Sequence, residues 1–221
     1  MRAVLFDFDG TLLDSFEDIV GSMNHTLVAT GRHQLPAATV RSYIGDGLAD
    51  MVGKALTETD GQAPAPADVD AFVTRYRAWY AEHWLDTTKL YPGAQALLDA
   101  LAARGDRLAL VSNKAEGACR GILATLGLES VFEVVSGGDT YPERKPDAGP
   151  VRRTLERLDV PLAAGVMIGD GPQDIGAGRA AGVRTIGVGW GLHPGDRLAD
   201  AGTDVVVESF EELREALRLE P

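Results

Sequence analysis

Short apolar or β-branched runs recur along the chain, at Ala3–Phe6, Leu108–Val111, Val131–Val135, Val166–Ile168, Thr185–Val188 and Val205–Val207. Between most of them apolar residues fall at helical spacing, as in Ala94–Ala103, Cys119–Leu126 and Val151–Leu158. Strands that alternate with helices predict an α/β fold, a parallel sheet with helices on both faces and right-handed crossovers. The alternation breaks once. From about Asp14 to Thr88 no strand pattern appears and the residues read as several amphipathic helices. Asp14-Ser15 followed by Asp18 reads as a helix start with a capping-box-like arrangement. Ile44-Gly45-Asp46-Gly47 interrupts the helical pattern, Gly61–Pro66 reads as a loop, and Tyr91-Pro92-Gly93 marks the return of the α/β pattern. Residues 1–13 and 90–221 are therefore expected to form the core, with 14–89 as a helical insert.

The strongest local feature follows the first run. In Phe6-Asp7-Phe8-Asp9-Gly10-Thr11 the two aspartates are two residues apart, so in extended backbone they point the same way. A second acidic pair, Asp170 and Asp174, follows the run at Val166–Ile168. Ser112 and Asn113 end a third strand, and Lys145 lies in Arg144-Lys145-Pro146-Asp147 just before a helix. Each feature alone has an ordinary reading, as an acidic turn, a helix cap or a solvated charge. Together they gain meaning, because Asp7, Ser112 and Asp170 each sit at the carboxyl end of a predicted parallel strand. That edge is where ligands bind in open α/β folds.

Charge narrows the chemistry. The 221-residue chain has a net charge of −12 and a pI near 4.7. Nucleic acid is not an expected partner for such a surface, and a phosphate site would need a locally positive environment. Several carboxylates on one rim suit Mg²⁺, which prefers oxygen ligands. His25, His33, His83 and His193 lack the spacing of a zinc site. The four lysines (Lys54, Lys89, Lys114 and Lys145) are few enough that one beside the acidic positions is notable. Cys119 is expected to be a small apolar residue on a helix. No signal-peptide pattern and no long apolar span is visible, which predicts a soluble, cytoplasmic protein with no membrane partner. Trp79, Tyr80 and Trp84 are expected in the core of the insert, and a monomer and a homodimer both remain open.

The ordered set Asp-x-Asp-Gly-Thr, strand-end Ser, Lys-Pro and Gly-Asp-x-x-x-Asp resembles the haloacid dehalogenase-like superfamily over essentially the whole chain. The resemblance implies a Rossmann-like core with a helical cap inserted after the first motif. It also implies roles: Asp7 as nucleophile, Asp9 as general acid/base, Lys145 as the charge-stabilising lysine and Ser112 as a phosphate-binding hydroxyl. Asp170, Asp174, Asp7 and the main-chain carbonyl of Asp9 would serve Mg²⁺. Gly10, Thr11 and Asn113 would face the phosphate, and Gly45 and Gly47 would face the rest of the substrate.

Asp7–Ser15, Tyr43–Gly47 and Gly137–Asp147 are further similar to phosphoglycolate phosphatases. The implied activity is Mg²⁺-dependent hydrolysis of a small phosphomonoester, 2-phosphoglycolate in the first place, through an aspartyl phosphate. Sugar-phosphate phosphatases, phosphomutases and, from another class, a catalytically silent binding protein are the alternatives. Ala148, where that subgroup often has proline, and the Gly171-Pro172-Gln173 filling depart from the pattern. The expectation attached to Pro172 is an altered loop over the metal.

Overall fold

A computed structural model describes residues 2–193 and 195–219. The chain divides into two compact units, Met1–Asp14 with Leu90–Pro221, and Ser15–Lys89.

The first unit carries a six-stranded sheet. Its strands are β1 (Ala3–Phe6), β4 (Arg107–Val111), β5 (Val134–Ser136), β6 (Gly165–Gly169), β7 (Arg184–Val188) and β8 (Val205–Val207), in the order β5-β4-β1-β6-β7-β8. Every pairing is parallel. Two short strands, β2 (Leu13–Asp14) and β3 (Lys89–Leu90), form a separate sheet. All four residues of β1 are buried. Successive side chains point to opposite faces, so helices must cover both. On one face Ala3, Leu5, Ala109, Val111 and Met167 pack with Val151 and Leu155 of α7 (Gly149–Arg157), with its C-cap residue Leu158, and with Ala177 and Ala181 of α8 (Pro172–Ala181). The small residues of α8 let that helix lie close to β6, where a Cβ on Gly178 would come 3.0 Å from the Met167 Cβ. The remaining helices of this unit are α5 (Ala94–Ala103), α6 (Glu116–Thr125), α9 (Gly195–Asp200) and α10 (Phe210–Ala216).

Expected and observed elements agree closely, with one shift. The run at Val131–Val135 yields a strand only from Val134. The N–H of Val131 donates to the Leu128 carbonyl and holds the chain in a turn after α6, while Phe132 is buried. Pairing beside β4 starts at Glu133, whose N–H reaches the Leu108 carbonyl. The two departures at Ala148 and Pro172 are also accounted for. Ala148 packs against the core cluster, and Pro150 opens α7 in its place. Pro172 stands at the first position of α8, where a missing N–H and a fixed φ cost nothing.

The second unit comprises α1 (Phe16–Ala29), α2 (Ala37–Arg41), α3 (Leu48–Asp60) and α4 (Pro66–His83). Ile19, Met23 and Leu27 of α1 and Phe72, Tyr76 and Tyr80 of α4 are buried at four-residue spacing. Tyr80 joins this core as expected, whereas Trp79 and Trp84 are only half-buried. Trp79 lies stacked between the rings of His25 and His83, at centroid distances of 3.4 and 3.8 Å. Ser15 is the N-cap residue of α1, but it makes no side-chain cap bond. Asp18 does not close a capping box either. Its carboxylate accepts from the N–H and hydroxyl of both Thr87 and Thr88, at 2.6 to 3.1 Å, and so ties the start of the unit to its end. Charged acceptors with this many donors outcompete a helix cap that offers one or two.

Burial works to raise the Asp18 carboxyl, but the hydroxyls and N–H groups of Thr87 and Thr88 outweigh it and hold the carboxyl below the usual aspartate value. A lowered carboxyl contributes stability above the unfolded value near pH 3.9 and loses it as pH falls through the folded one. Asp18→Ala is therefore expected to cost about 2 kcal/mol at pH 7, measured by urea unfolding, with the difference from wild type narrowing below about pH 4. A difference that is constant with pH would contradict this account.

Candidate active site

The strand order turns around β1. The chain builds β4 and β5 on one side of it, then crosses to lay β6, β7 and β8 on the other. The crevice outside the carboxyl ends of strands at such a switch point is the expected binding place. Asp7 follows β1, Ser112 follows β4 and Asp170 follows β6, so three adjacent strands each deliver a polar side chain there.

The Asp7 N–H donates to the Ile168 carbonyl, extending the β1–β6 ladder and fixing the main chain at that point. Beyond it the chain folds into a tight turn in which the N–H groups of Thr11, Leu12 and Leu13 all reach the Phe8 carbonyl. Gly10 has φ +81°, and a Cβ there would sit 2.4 Å from Asp170 Oδ2. Gly169 gives the matching space on β6, because a Cβ there would lie 2.2 Å from Asp174. The absence of these two side chains lets the carboxylates come together.

Asp7, Asp170 and Asp174 each present a carboxylate oxygen within 4.8 Å of the others. At an effective dielectric of about 20, each such pair of charges repels by roughly 3–4 kcal/mol. One cation answers them from the protein. The Lys145 ammonium lies 2.8 Å from Asp7 Oδ1 and 2.5 Å from Asp174 Oδ1, and donates to the Val111 carbonyl at 2.7 Å. Burial works against its charge, but Asp174 and Asp7 outweigh burial and raise its pKa. Asp170 is held by the Thr11 hydroxyl at 3.1 Å and the Leu192 N–H at 2.7 Å. Burial first, then Asp174 and Asp7, push its carboxyl well above the usual value. Asp174 accepts the Gly171 N–H at 2.9 Å. Burial and Asp7 push it up to about 6 against the pull of Lys145.

Three carboxylates against one ammonium leave two negative charges uncompensated. An all-oxygen donor set with that deficit fits a hard divalent cation.

The Asp9 carboxylate is not part of this cluster. It pairs through both oxygens, at 2.9 and 2.8 Å, with the Lys114 ammonium. Lys114 was not among the candidates from sequence, although its place two residues after the strand-end Ser112, and the scarcity of lysines, pointed to it. Several expected substrate contacts are engaged within the protein. The Thr11 hydroxyl holds Asp170, and Gly10 makes room for it. The Asn113 side chain clamps the main chain of Lys145, donating to its carbonyl at 2.9 Å and accepting its N–H at 3.1 Å. Ser112 Oγ accepts the Lys114 N–H at 3.3 Å. Trp190, another residue not singled out from sequence, donates its indole N–H to the Thr11 carbonyl at 3.2 Å and stacks on Phe210. Gly45 and Gly47 belong to the helical unit, where Gly47 is the N-cap of α3 and Asp46 pairs with Lys54 at 2.8 Å. Cys119 is fully buried, and burial drives its thiol far above the ordinary value, as suits a packing residue.

Known proteins share this layout. The model of the haloacid dehalogenase-like hydrolases matches residues 4–188. A phosphoglycolate phosphatase of Rhodospirillum rubrum is 38% identical over 215 residues, covering 96% of this chain and 89% of that protein. One of Neisseria meningitidis is 37% identical over 222 residues, covering 99% of this chain and 94% of that protein. The crystal structure of a predicted phosphoglycolate phosphatase from Haemophilus somnus superimposes with a TM-score of 0.92 at 25% identity, covering 98% of each chain. The sheet order, the strand-end acids and these matches together establish that the chain belongs to the haloacid dehalogenase-like hydrolases.

Proposed function

We propose that this protein is a phosphoric monoester hydrolase that converts 2-phosphoglycolate to glycolate and phosphate, with Asp7 as the nucleophile and Mg²⁺ as the cofactor. The observation that carries the reading is the Asp7 carboxylate at the end of β1, beside the Lys145 ammonium and the Asp170–Asp174 pair. The activity named for the relatives of Rhodospirillum rubrum and Neisseria meningitidis supports the substrate.

In the first step an Asp7 oxygen forms a bond to phosphorus while the bond to the glycolate oxygen breaks. Asp9, as a carboxylic acid, gives its proton to that departing oxygen. In the second step Asp9, now a carboxylate, takes a proton from the water that attacks the aspartyl phosphate. Phosphate leaves and Asp7 is restored, so one difficult displacement is divided into two easier ones. Lys145 pairs with Asp7 and orients it, and with the Ser112 hydroxyl it offsets charge on the phosphoryl oxygens. Asp7, Asp170, Asp174 and the Asp9 carbonyl would hold Mg²⁺, which when bound supplies the two positive charges the acidic cluster lacks and polarises a phosphoryl oxygen. We assign substrate selection to the helical unit as a cap, with Gly45 and Gly47 allowing close main-chain approach to the substrate. The compartment is the cytoplasm. In support, among the described residues no helix is long and apolar enough to cross a membrane.

Phosphate release from a panel of small monoesters, with and without Mg²⁺, tests this reading. 2-Phosphoglycolate is expected to be the preferred substrate, chelation should abolish turnover, and Asp7→Asn should lower kcat on the order of 10⁴-fold or more. Preference for sugar phosphates would replace the substrate and keep the chemistry, while near-normal turnover by Asp7→Asn would remove the nucleophile.

The acidic cluster also makes a prediction about stability. A carboxyl raised in the folded state favours folding while protonated and disfavours it once ionised, so its cost grows as pH rises through the folded value. Without divalent cation, Asp170→Asn should therefore gain stability relative to wild type between about pH 4, near the unfolded aspartate value, and pH 7. Saturating Mg²⁺ at pH 7 should reverse the order. Thermal melts across pH in chelator and in Mg²⁺ read both effects, and a wild-type-to-variant difference insensitive to pH and metal would argue against a shared cation site.

A further inference from the structure

Each aspartate of the Asp-x-Asp motif has its own ammonium partner, and the two lysines come from different parts of the chain. Lys145 serves Asp7 from the loop before α7, and Lys114 serves Asp9 from the segment after β4. The Asp9–Lys114 pair differs from an ordinary surface ion pair, which contributes little because both side chains are mobile and hydrated. Its side chains are only 14% and 10% exposed, and one ammonium contacts both carboxylate oxygens. Both ends are also anchored. The Lys114 N–H is held by Ser112 Oγ, and its carbonyl accepts the Gly138 N–H at 2.9 Å. Gly138 packs so closely that a Cβ would lie 2.4 Å from the Asn113 carbonyl oxygen. At the other end Asp9 forms a bridge with Leu13, and the Gly10 N–H reaches the Leu13 carbonyl at 2.8 Å.

We infer that Lys114 is a positioning residue for Asp9, holding the carboxyl group in the orientation from which it delivers a proton to the leaving oxygen. The inference rests on the acid/base role proposed for Asp9. A proton donor works only when aimed at the receiving atom; in the acid form one Asp9 oxygen carries the proton, and the pinned ammonium on the other removes the carboxyl rotation that would misaim it. In this role Lys114 acts through Asp9. In the first step the loss of Lys114 should be felt where the leaving oxygen needs a proton, whereas the second step, in which Asp9 takes a proton from water, is shared by every substrate.

That dependence separates positioning from phosphate binding and from simple scaffolding. Lys114→Gln, Lys114→Met, Lys114→Arg and Asp9→Asn would be compared in Mg²⁺ on 2-phosphoglycolate, whose alkoxide leaves poorly without a proton, and on p-nitrophenyl phosphate, whose phenolate leaves unaided. Lys114→Gln and Lys114→Met should lower the single-turnover rate of glycolate release from 2-phosphoglycolate by about 10- to 100-fold, a part of the 10²–10⁴ that general acid catalysis supplies. The single-turnover release of p-nitrophenolate, which reads the first step alone, should slow by less than about threefold, and KM for 2-phosphoglycolate should change less than the rate of its first step. Lys114→Arg should restore most of the lost rate, and Lys114→Gln in the Asp9→Asn background should cost little more than Asp9→Asn alone. Equal losses on the two substrates, or a full additional loss in that background, would overturn the inference while leaving the hydrolase reading intact. Failure of Asp9→Asn itself to distinguish the substrates would instead remove the acid role on which the inference stands. Melting temperatures of the variants identify any that are merely unfolded; should one uncharged variant be so, the other, read beside Lys114→Arg, which keeps the charge, carries the test.

Discussion

The buried Lys145 ammonium is the interaction on which the rest of the site depends. It donates to Asp174 and to the Val111 carbonyl and forms an ion pair with Asp7, groups that belong to the ends of α8, β4 and β1. A charge this deeply buried survives only because it is both paired and hydrogen-bonded. Removing one partner of such a pair typically costs about 3–5 kcal/mol, since the other is left uncompensated. The Asn113 side chain fixes the Lys145 main chain on both its N–H and its carbonyl, so the lysine is held at its root as well as its tip. Sheet, helix and loop thus converge on one cation, and the position of Asp7 follows from it.

That cation does not balance the cluster. Glycines at 10 and 169 allow three carboxylates to crowd together, and burial pushes Asp170 and Asp174 upward. A folded chain tolerates such crowding when a ligand supplies the missing charge. The net charge of −12 makes the point sharper, because an anionic substrate approaches against the field of the whole molecule. On the proposed reading, local compensation by Lys145, Lys114 and a divalent cation would allow a phosphate to enter. The same logic explains why two of the four lysines lie within this small region.

Much of this was legible in the sequence, and the reasons are physical. Strand ends are marked by a change from apolar to polar residues, so Asp7, Ser112 and Asp170 could be set on one edge before any coordinates. The roles of Asn113 and Thr11 were not legible in this way. A short polar residue at a strand end serves a ligand or the protein's own main chain equally well, and only the structure shows Asn113 turned to Lys145 and Thr11 to Asp170. Asp18 illustrates the same limit: local spacing offered a capping box, but Thr87 and Thr88, 69 and 70 residues away, supplied better donors. For Lys114 the place beside Ser112 hinted at the site, but its pairing with Asp9, 105 residues away, is visible only in the fold.

The central claim is that this charge arrangement makes Asp7 a nucleophile. Rapid acid quench of the enzyme with ³²P-labelled 2-phosphoglycolate tests it most directly. The account predicts transient label on the peptide containing Asp7, released by hydroxylamine as an acyl phosphate would be. Full turnover with no protein-bound label at any quench time, or label on a peptide lacking Asp7, would contradict it.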